Sequence, residues 1–168
     1  HQSILLTQGP IYEIFMKKIV ITGGLGYIGT ELCKIYSGYS WNDQVVVIDN
    51  RFISERVNQL RKWNIDFVEG DILDKDLIKK YCADADIIHH LAGITDVPRV
   101  KSESKNEHDK KIHIVAEEGT QNILDVISDK CKIIMPSTHV VYEGINKVKY
   151  DIEENETTSP VLSYAKSK

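Results

Sequence analysis

The chain closes on Tyr164-Ala165-Lys166-Ser167-Lys168, a tyrosine and a lysine four residues apart. On a helix that spacing puts both side chains on one face, so the ammonium stabilises the phenolate and equips the tyrosine as a base. The pair gains meaning from the opposite end of the sequence. There Lys17-Lys18-Ile19-Val20-Ile21-Thr22 reads as a buried strand running into Gly23-Gly24-Leu25-Gly26-Tyr27-Ile28-Gly29. A Gly-x-x-Gly-x-x-Gly at a strand-to-helix turn lets the backbone come close to a diphosphate, while the N–H groups and positive dipole of the next helix face the anion. Proton transfer beside a bound dinucleotide is the chemistry these segments could do together.

Further residues fall at the ends of apolar runs. Asp49 follows Val45-Val46-Val47-Ile48 about 20 residues after Gly29, where a carboxylate takes both adenosine ribose hydroxyls and repels a 2′-phosphate. That favours NAD over NADP; Arg51 is the counter-signal, since an arginine there accepts such a phosphate, and a plain turn aspartate is the structural alternative. Asp71 and Ile72 follow the third run, placed to accept from the adenine amino group and to pack on its ring, or simply to open a helix. Ala92-Gly93 ends the fourth run with small residues, suited to close passage of a cofactor backbone or to tight helix packing. Ser137-Thr138 lies past the fifth, where a hydroxyl bonds a substrate oxygen or caps a turn.

The elements that must position these residues alternate. Helical patterns at 27–37, 53–63, 74–82 and about 106–128 separate strands at 17–22, 45–49, 65–69, 86–91 and 132–136, and 143–159 reads as a charged loop without regular structure. All-apolar strands alternating with helices imply an α/β fold, a Rossmann-type doubly wound parallel sheet with helices on both faces and ligands at the carboxyl ends of its strands.

With 168 residues, 42% of them hydrophobic, the chain suits one globular domain. A net charge of -4 and the lack of a basic stripe speak against a nucleic-acid surface. No apolar run is long enough to span a bilayer, and no secretory signal is present, so a cytoplasmic location is expected and Asn155-Glu156-Thr157 is read as an accidental match to a glycosylation acceptor. Cys33, Cys82 and Cys131 lie far apart without metal or redox spacing, and His89-His90 point to opposite faces of a strand, so no metal site is expected. Met16 reads as a natural start, with residues 1–15 a non-native extension or an added edge strand, and 16–168 the dinucleotide-binding domain.

Taken together, Thr22 to Gly29, Asp49, Asp71-Ile72, His90-Leu91-Ala92-Gly93, Ser137 to Tyr142 and Tyr164 to Lys168 resemble the extended short-chain dehydrogenase/reductase family of sugar-nucleotide epimerases and dehydratases. The stretch from Met16 to Asn50 is especially similar to the opening of UDP-glucose 4-epimerase-type enzymes. The resemblance implies NAD held by Gly23, Gly26, Tyr27, Ile28, Gly29, Asp49, Asn50, Asp71, Ile72, Leu91, Ala92, Gly93 and Ser137. It implies Tyr164 as general base and acid on a sugar hydroxyl, Lys168 holding the nicotinamide ribose and Thr138 orienting the substrate oxygen. Hydride would pass between a sugar carbon and the nicotinamide.

Departures from the family pattern narrow this. The 4,6-dehydratases carry Asp-Glu directly after the threonine, where this chain has His139 and Val140, which argues against elimination of water by that route. Ala116 replaces the asparagine of Asn-x-x-Gly-Thr, and Glu143 stands where glycine usually follows Val-Tyr. Family members are about twice as long and build the nucleotide-sugar pocket largely from the second half, so the chain is expected to be the cofactor-binding part of a longer enzyme, inactive alone. Homodimerisation through the helices near 106–128 and Tyr164 is implied by the same resemblance. A dinucleotide-binding module without chemistry, and a reductase of a small non-sugar carbonyl, share the same residues.

Overall fold

The computed structural model describes residues 16–39, 42–95, 105–145 and 150–168. The expected leader, residues 1–15, and most of the Pro-containing stretch before the long helix lie outside the described residues. Five strands, β1 (Lys18–Thr22), β2 (Gln44–Asp49), β3 (Asp66–Glu69), β4 (Ile87–His90) and β5 (Lys132–Ile134), alternate with helices. Those helices are α1 (Tyr27–Tyr39), α2 (Ser54–Lys62), α3 (Lys75–Cys82), α4 (Lys105–Leu124) and α5 (Ser163–Lys166).

All pairings are parallel and the order is β3-β2-β1-β4-β5. The chain runs outward from β1 through β2 to β3, then returns to lay β4 on β1's other side. The loops after β1 and β4 therefore diverge, and a crevice opens between them at the carboxyl ends. Alternation along the strands supplies two cores. Ile19, Ile21, Val45 and Val47 face Leu25, Cys33, Val57 and Leu60 on the α1/α2 side, while Val20, Ile48 and Ile88 face Ile78, Cys82 and Ile123 on the α3/α4 side. Three of these strands are hydrophobic on both faces because both are covered.

The expected elements are present, with shifts at their ends. Asp74 caps α3 by accepting the N–H groups of Asp76 and Leu77, both at 3.1 Å, so the acidic cap is as read. α1 runs two residues further than its pattern, and α4 ends at Leu124, where single turns replace the expected continuation to Ser128. The sequence reading missed the 3-10 turn His139–Tyr142, whose first amides are capped by Thr138 rather than by an apolar repeat. All three cysteines are unpaired, and burial pushes the thiols of Cys33 and Cys82 up to about 12.

Candidate functional site

A cavity of about 880 Å³ opens at the carboxyl ends of the strands. It is lined by the glycine turn, by the loops after β2, β3 and β4, by one face of α4, and by Ser137, Tyr164 and Lys168. Of the predicted site residues only Thr138 lies outside the lining. Its hydroxyl accepts the Val140 N–H at 3.3 Å, capping the 3-10 turn, and Ser137 is the hydroxyl that lines the cavity.

The turn after β1 needs its glycines. Gly23 sits at φ +68, and a Cβ there would come within 2.7 Å of the Ala92 nitrogen, so neither the dihedral nor the space admits a side chain. A Cβ on Gly29 would lie 2.5 Å from the Gly24 Cα, so the last glycine lets α1 pack onto its own turn. The result is bare backbone at the amino end of α1, where Tyr27 and Ile28 face the cavity.

Asp49 is buried beneath this turn. One carboxylate oxygen accepts the Leu25 N–H at 3.0 Å; the other accepts the Arg51 N–H at 3.1 Å and Arg51 Nε at 3.2 Å, and Arg51 Nη2 lies 3.4 Å from the first. A second arginine, Arg56 of α2, donates to the Leu25 carbonyl. Next to them, Asp71 accepts Asn50 Nδ2 at 3.1 Å and the Leu73 N–H at 3.0 Å, tying the loops after β2 and β3 together. Ile72 is buried, with its carbonyl bonded by Asn122 Nδ2 at 3.1 Å. It fills the space above Gly119, where an added Cβ would meet its Cδ1 at 2.3 Å.

At the other end the Lys168 ammonium lies 5.7 Å from the centre of the Tyr164 ring, so the terminal pair does share a face. The helix itself is short, Ser163–Lys166, and Lys168 follows on a final turn with its N–H on the Ala165 carbonyl at 3.3 Å. Burial holds the Lys168 ammonium below its usual range.

Under the cavity floor runs a hydrogen-bonded chain. The Ala92 N–H donates to Thr22 Oγ1 at 3.3 Å, Thr22 Oγ1 meets His90 Nδ1 at 2.7 Å, and His90 Nε2 meets Thr120 Oγ1 at 3.0 Å. Thr120 in turn donates to the Ala116 carbonyl. Because that hydroxyl's proton is spent, it accepts from His90, which assigns the neutral Nε2–H tautomer and leaves Nδ1 to accept from Thr22. Burial, and secondarily Lys168, lowers the His90 pKa to about 4, in accord with a neutral ring. Thus at Ala116, where the family asparagine is absent, the backbone carbonyl terminates the chain. His89 points to the other layer, 2.7 Å from Tyr36 Oη, so the two histidines face opposite ways as read.

Lining residues outside the predicted site set include Arg56, His108, Lys111 and Val115; of these, Lys111 reads from the sequence, with Lys110, as a solvated helix face. The spacing of His108, Lys111 and Val115, on one face of α4, was a usable signal; nothing local marks Arg56, which reaches the site only because α2 folds back on the glycine turn.

The profile of the 3-beta hydroxysteroid dehydrogenase/isomerase family matches residues 20–168. A UDP-glucose 4-epimerase of Neisseria meningitidis serogroup C is 32% identical over 159 residues, covering 86% of this chain and 44% of that protein. A CDP-paratose 2-epimerase of Salmonella typhi is 32% identical over 153 residues, covering 84% and 42%. Among solved structures, the Bacillus cereus UDP-glucuronic acid 4-epimerase, in complex with UDP-4-deoxy-4-fluoro-glucuronic acid and NAD, superposes with a TM-score of 0.72 at 27% identity, covering 90% of this chain and 48% of that one. The chain therefore spans less than half the length of the curated relatives it matches.

Proposed function

This chain belongs to the 3-beta hydroxysteroid dehydrogenase/isomerase family, within the extended short-chain dehydrogenases/reductases, and on that footing we propose that it binds NAD in the cavity and serves an oxidoreductase of the epimerase or dehydratase kind acting on a nucleotide sugar. The observation that carries this reading is convergence: the glycine turn, the Asp49 carboxylate and the Tyr164–Lys168 pair, up to 145 positions apart, line one cavity. Its residues fit a dinucleotide. At Gly23 a Cβ would strike Ala92, and at Gly93 the nearest atom to an added Cβ is Lys168 Nζ at 3.8 Å, so bare backbone faces the space a diphosphate needs. The volume, about 880 Å³, suits a cofactor-sized ligand.

In this reading the glycine turn and the amino end of α1, with Tyr27 and Ile28, hold the diphosphate. Asp49 and Asn50 hold the adenosine ribose, Asp71 and Ile72 the adenine, and Leu91, Ala92 and Gly93 border the middle of the molecule. Ser137, Tyr164 and Lys168 face the nicotinamide ribose. When bound, NAD supplies a hydride acceptor and, reduced, a donor. Tyr164, as a phenolate stabilised by the Lys168 ammonium beside its ring, takes a proton from the substrate hydroxyl at its Oη and later returns it. Ser137 on the lining, with Thr138 next to it, orients the substrate oxygen. With His139 and Val140 where 4,6-dehydratases carry two acids, epimerisation or reduction is favoured over loss of water.

Thr138's place outside the lining favours a second reading, a module that binds the dinucleotide without chemistry. Calorimetric titration with NAD and NADP, on the unaltered chain and on Asp49→Ala, tests the binding: NAD should bind and the variant should not, and absence of heat with either nucleotide sinks the proposal. Tyr164→Phe, in a chain extended past Lys168 to the length of its relatives, separates the two readings. In an enzyme it should lose at least about 100-fold in kcat with NAD affinity retained; a binding module shows no turnover with or without the change and keeps its NAD affinity.

A further inference from the structure

Tyr164 lies in α5, which buries Ala165, and Lys168 follows on the turn after it. The helix packs against α4 and the 3-10 turn, and the way the chain is led into it also bears on its orientation. Leu162, its N-cap, offers no side-chain hydrogen bond. The two amides at this point, Val161 N–H and Leu162 N–H, instead donate to one oxygen of Glu143, Oε1, at 2.9 and 2.6 Å. Glu143 directly follows the 3-10 turn that Thr138 caps.

Backbone bonds close the same junction. The Ser159 N–H donates to the Val141 carbonyl at 2.8 Å, and the Gly144 N–H to the Ser159 carbonyl at 2.9 Å. Residue 144 must be glycine for this approach, because a Cβ there would lie 2.4 Å from the Ser159 oxygen. Glu143 thus stands where Val-Tyr is usually followed by glycine, with the glycine displaced by one position.

We propose that Glu143 is a positioning residue: its carboxylate staples the start of the Tyr164 helix to the turn after Ser137-Thr138, so that the hydroxyl pair and the Tyr–Lys pair are held in one frame. A carboxylate suits this because one oxygen serves two N–H donors through charge-assisted bonds, one of them the amide of the N-cap residue Leu162. The reading rests on the proposed oxidoreductase function. Small misplacement of a base costs turnover steeply while leaving distant cofactor contacts intact.

The test compares Glu143→Ala and Glu143→Gln in a chain extended past Lys168 to the length of its relatives, with nucleotide-sugar-dependent reduction or oxidation of NAD, NAD calorimetry, and hydrogen exchange at Val161 and Leu162. Glu143→Ala should lower kcat by roughly ten- to a hundredfold with KM for NAD within about threefold, and deprotect both amides. Glu143→Gln keeps a carbonyl acceptor and should recover kcat to within about threefold. Wild-type turnover or unchanged amide protection in Glu143→Ala overturns the staple, as does a glutamine variant no better than alanine. Failure of the unaltered chain to bind NAD instead overturns the functional reading, and the staple's catalytic role with it.

Discussion

Asp49 meets four donors from Leu25 and Arg51, and a carboxylate has about four lone-pair sites, so ribose hydroxyls can bind it only by displacing one of them. The two backbone amides are held by the fold. The Arg51 side chain, 44% exposed against 3% for its partner, is the donor free to leave. Two opposite effects on binding follow. Asp49→Ala removes the acceptor and should weaken NAD by at least about 100-fold, given roughly 1.5–3 kcal/mol per charge-assisted bond. Arg51→Ala should tighten NAD by a few fold and raise the NAD-to-NADP preference, because the competitor for the carboxylate and the partner for a 2′-phosphate are the same group. Calorimetry with both nucleotides reads both variants; weaker NAD binding in Arg51→Ala would show that the arginine supports the ribose site instead of occupying it.

Among the elements, the turn between β1 and α1 tolerates change least. Gly23→Ala combines a left-handed dihedral with contact against Ala92, and should destabilise the protein by more than about 2 kcal/mol, read as a lower urea midpoint with an unchanged slope. Strand β4 carries a pH dependence. Both its histidines are held below their ordinary pKa by burial, His90 down to about 4. Between there and 6.5 the unfolded chain binds protons that the folded one refuses, so stability is full above about pH 6.5 and is lost as pH falls toward 4. For His90 alone the loss is on the order of 3 kcal/mol. His90→Gln should flatten the stability difference between pH 7.5 and 4.5, measured by urea unfolding; an unchanged slope with pH would place the proton uptake elsewhere.

For the whole molecule, the sheet order turns three separate loops into one ligand-sized wall. A dinucleotide lying along that wall should protect amides in 23–29, 70–73 and 91–93 together in hydrogen exchange. At 100 times its dissociation constant it should raise the unfolding free energy by about 2.7 kcal/mol. Protection confined to one loop would mean that the cavity does not take a single extended ligand. No helix among the described residues is long and apolar enough to cross a membrane.

Much of this was legible in the chain itself. Strands such as Val45–Asp49 announce themselves because burial on both faces requires continuous apolar side chains, and the glycine turn does so because only glycine admits that backbone and that contact. The i,i+4 spacing of Tyr164 and Lys168 likewise determined that they share a face wherever the backbone turns helically. What the sequence left open was set by contacts between distant segments. That Arg51 fills the Asp49 carboxylate, that Thr138 caps its own turn while Ser137 faces the cavity, and that Glu143 reaches across to Val161 and Leu162 each depend on where a side chain's partner lies in space. Local periodicity reports burial and spacing along the chain, but the direction of a polar side chain is chosen by the donors and acceptors that folding brings to it.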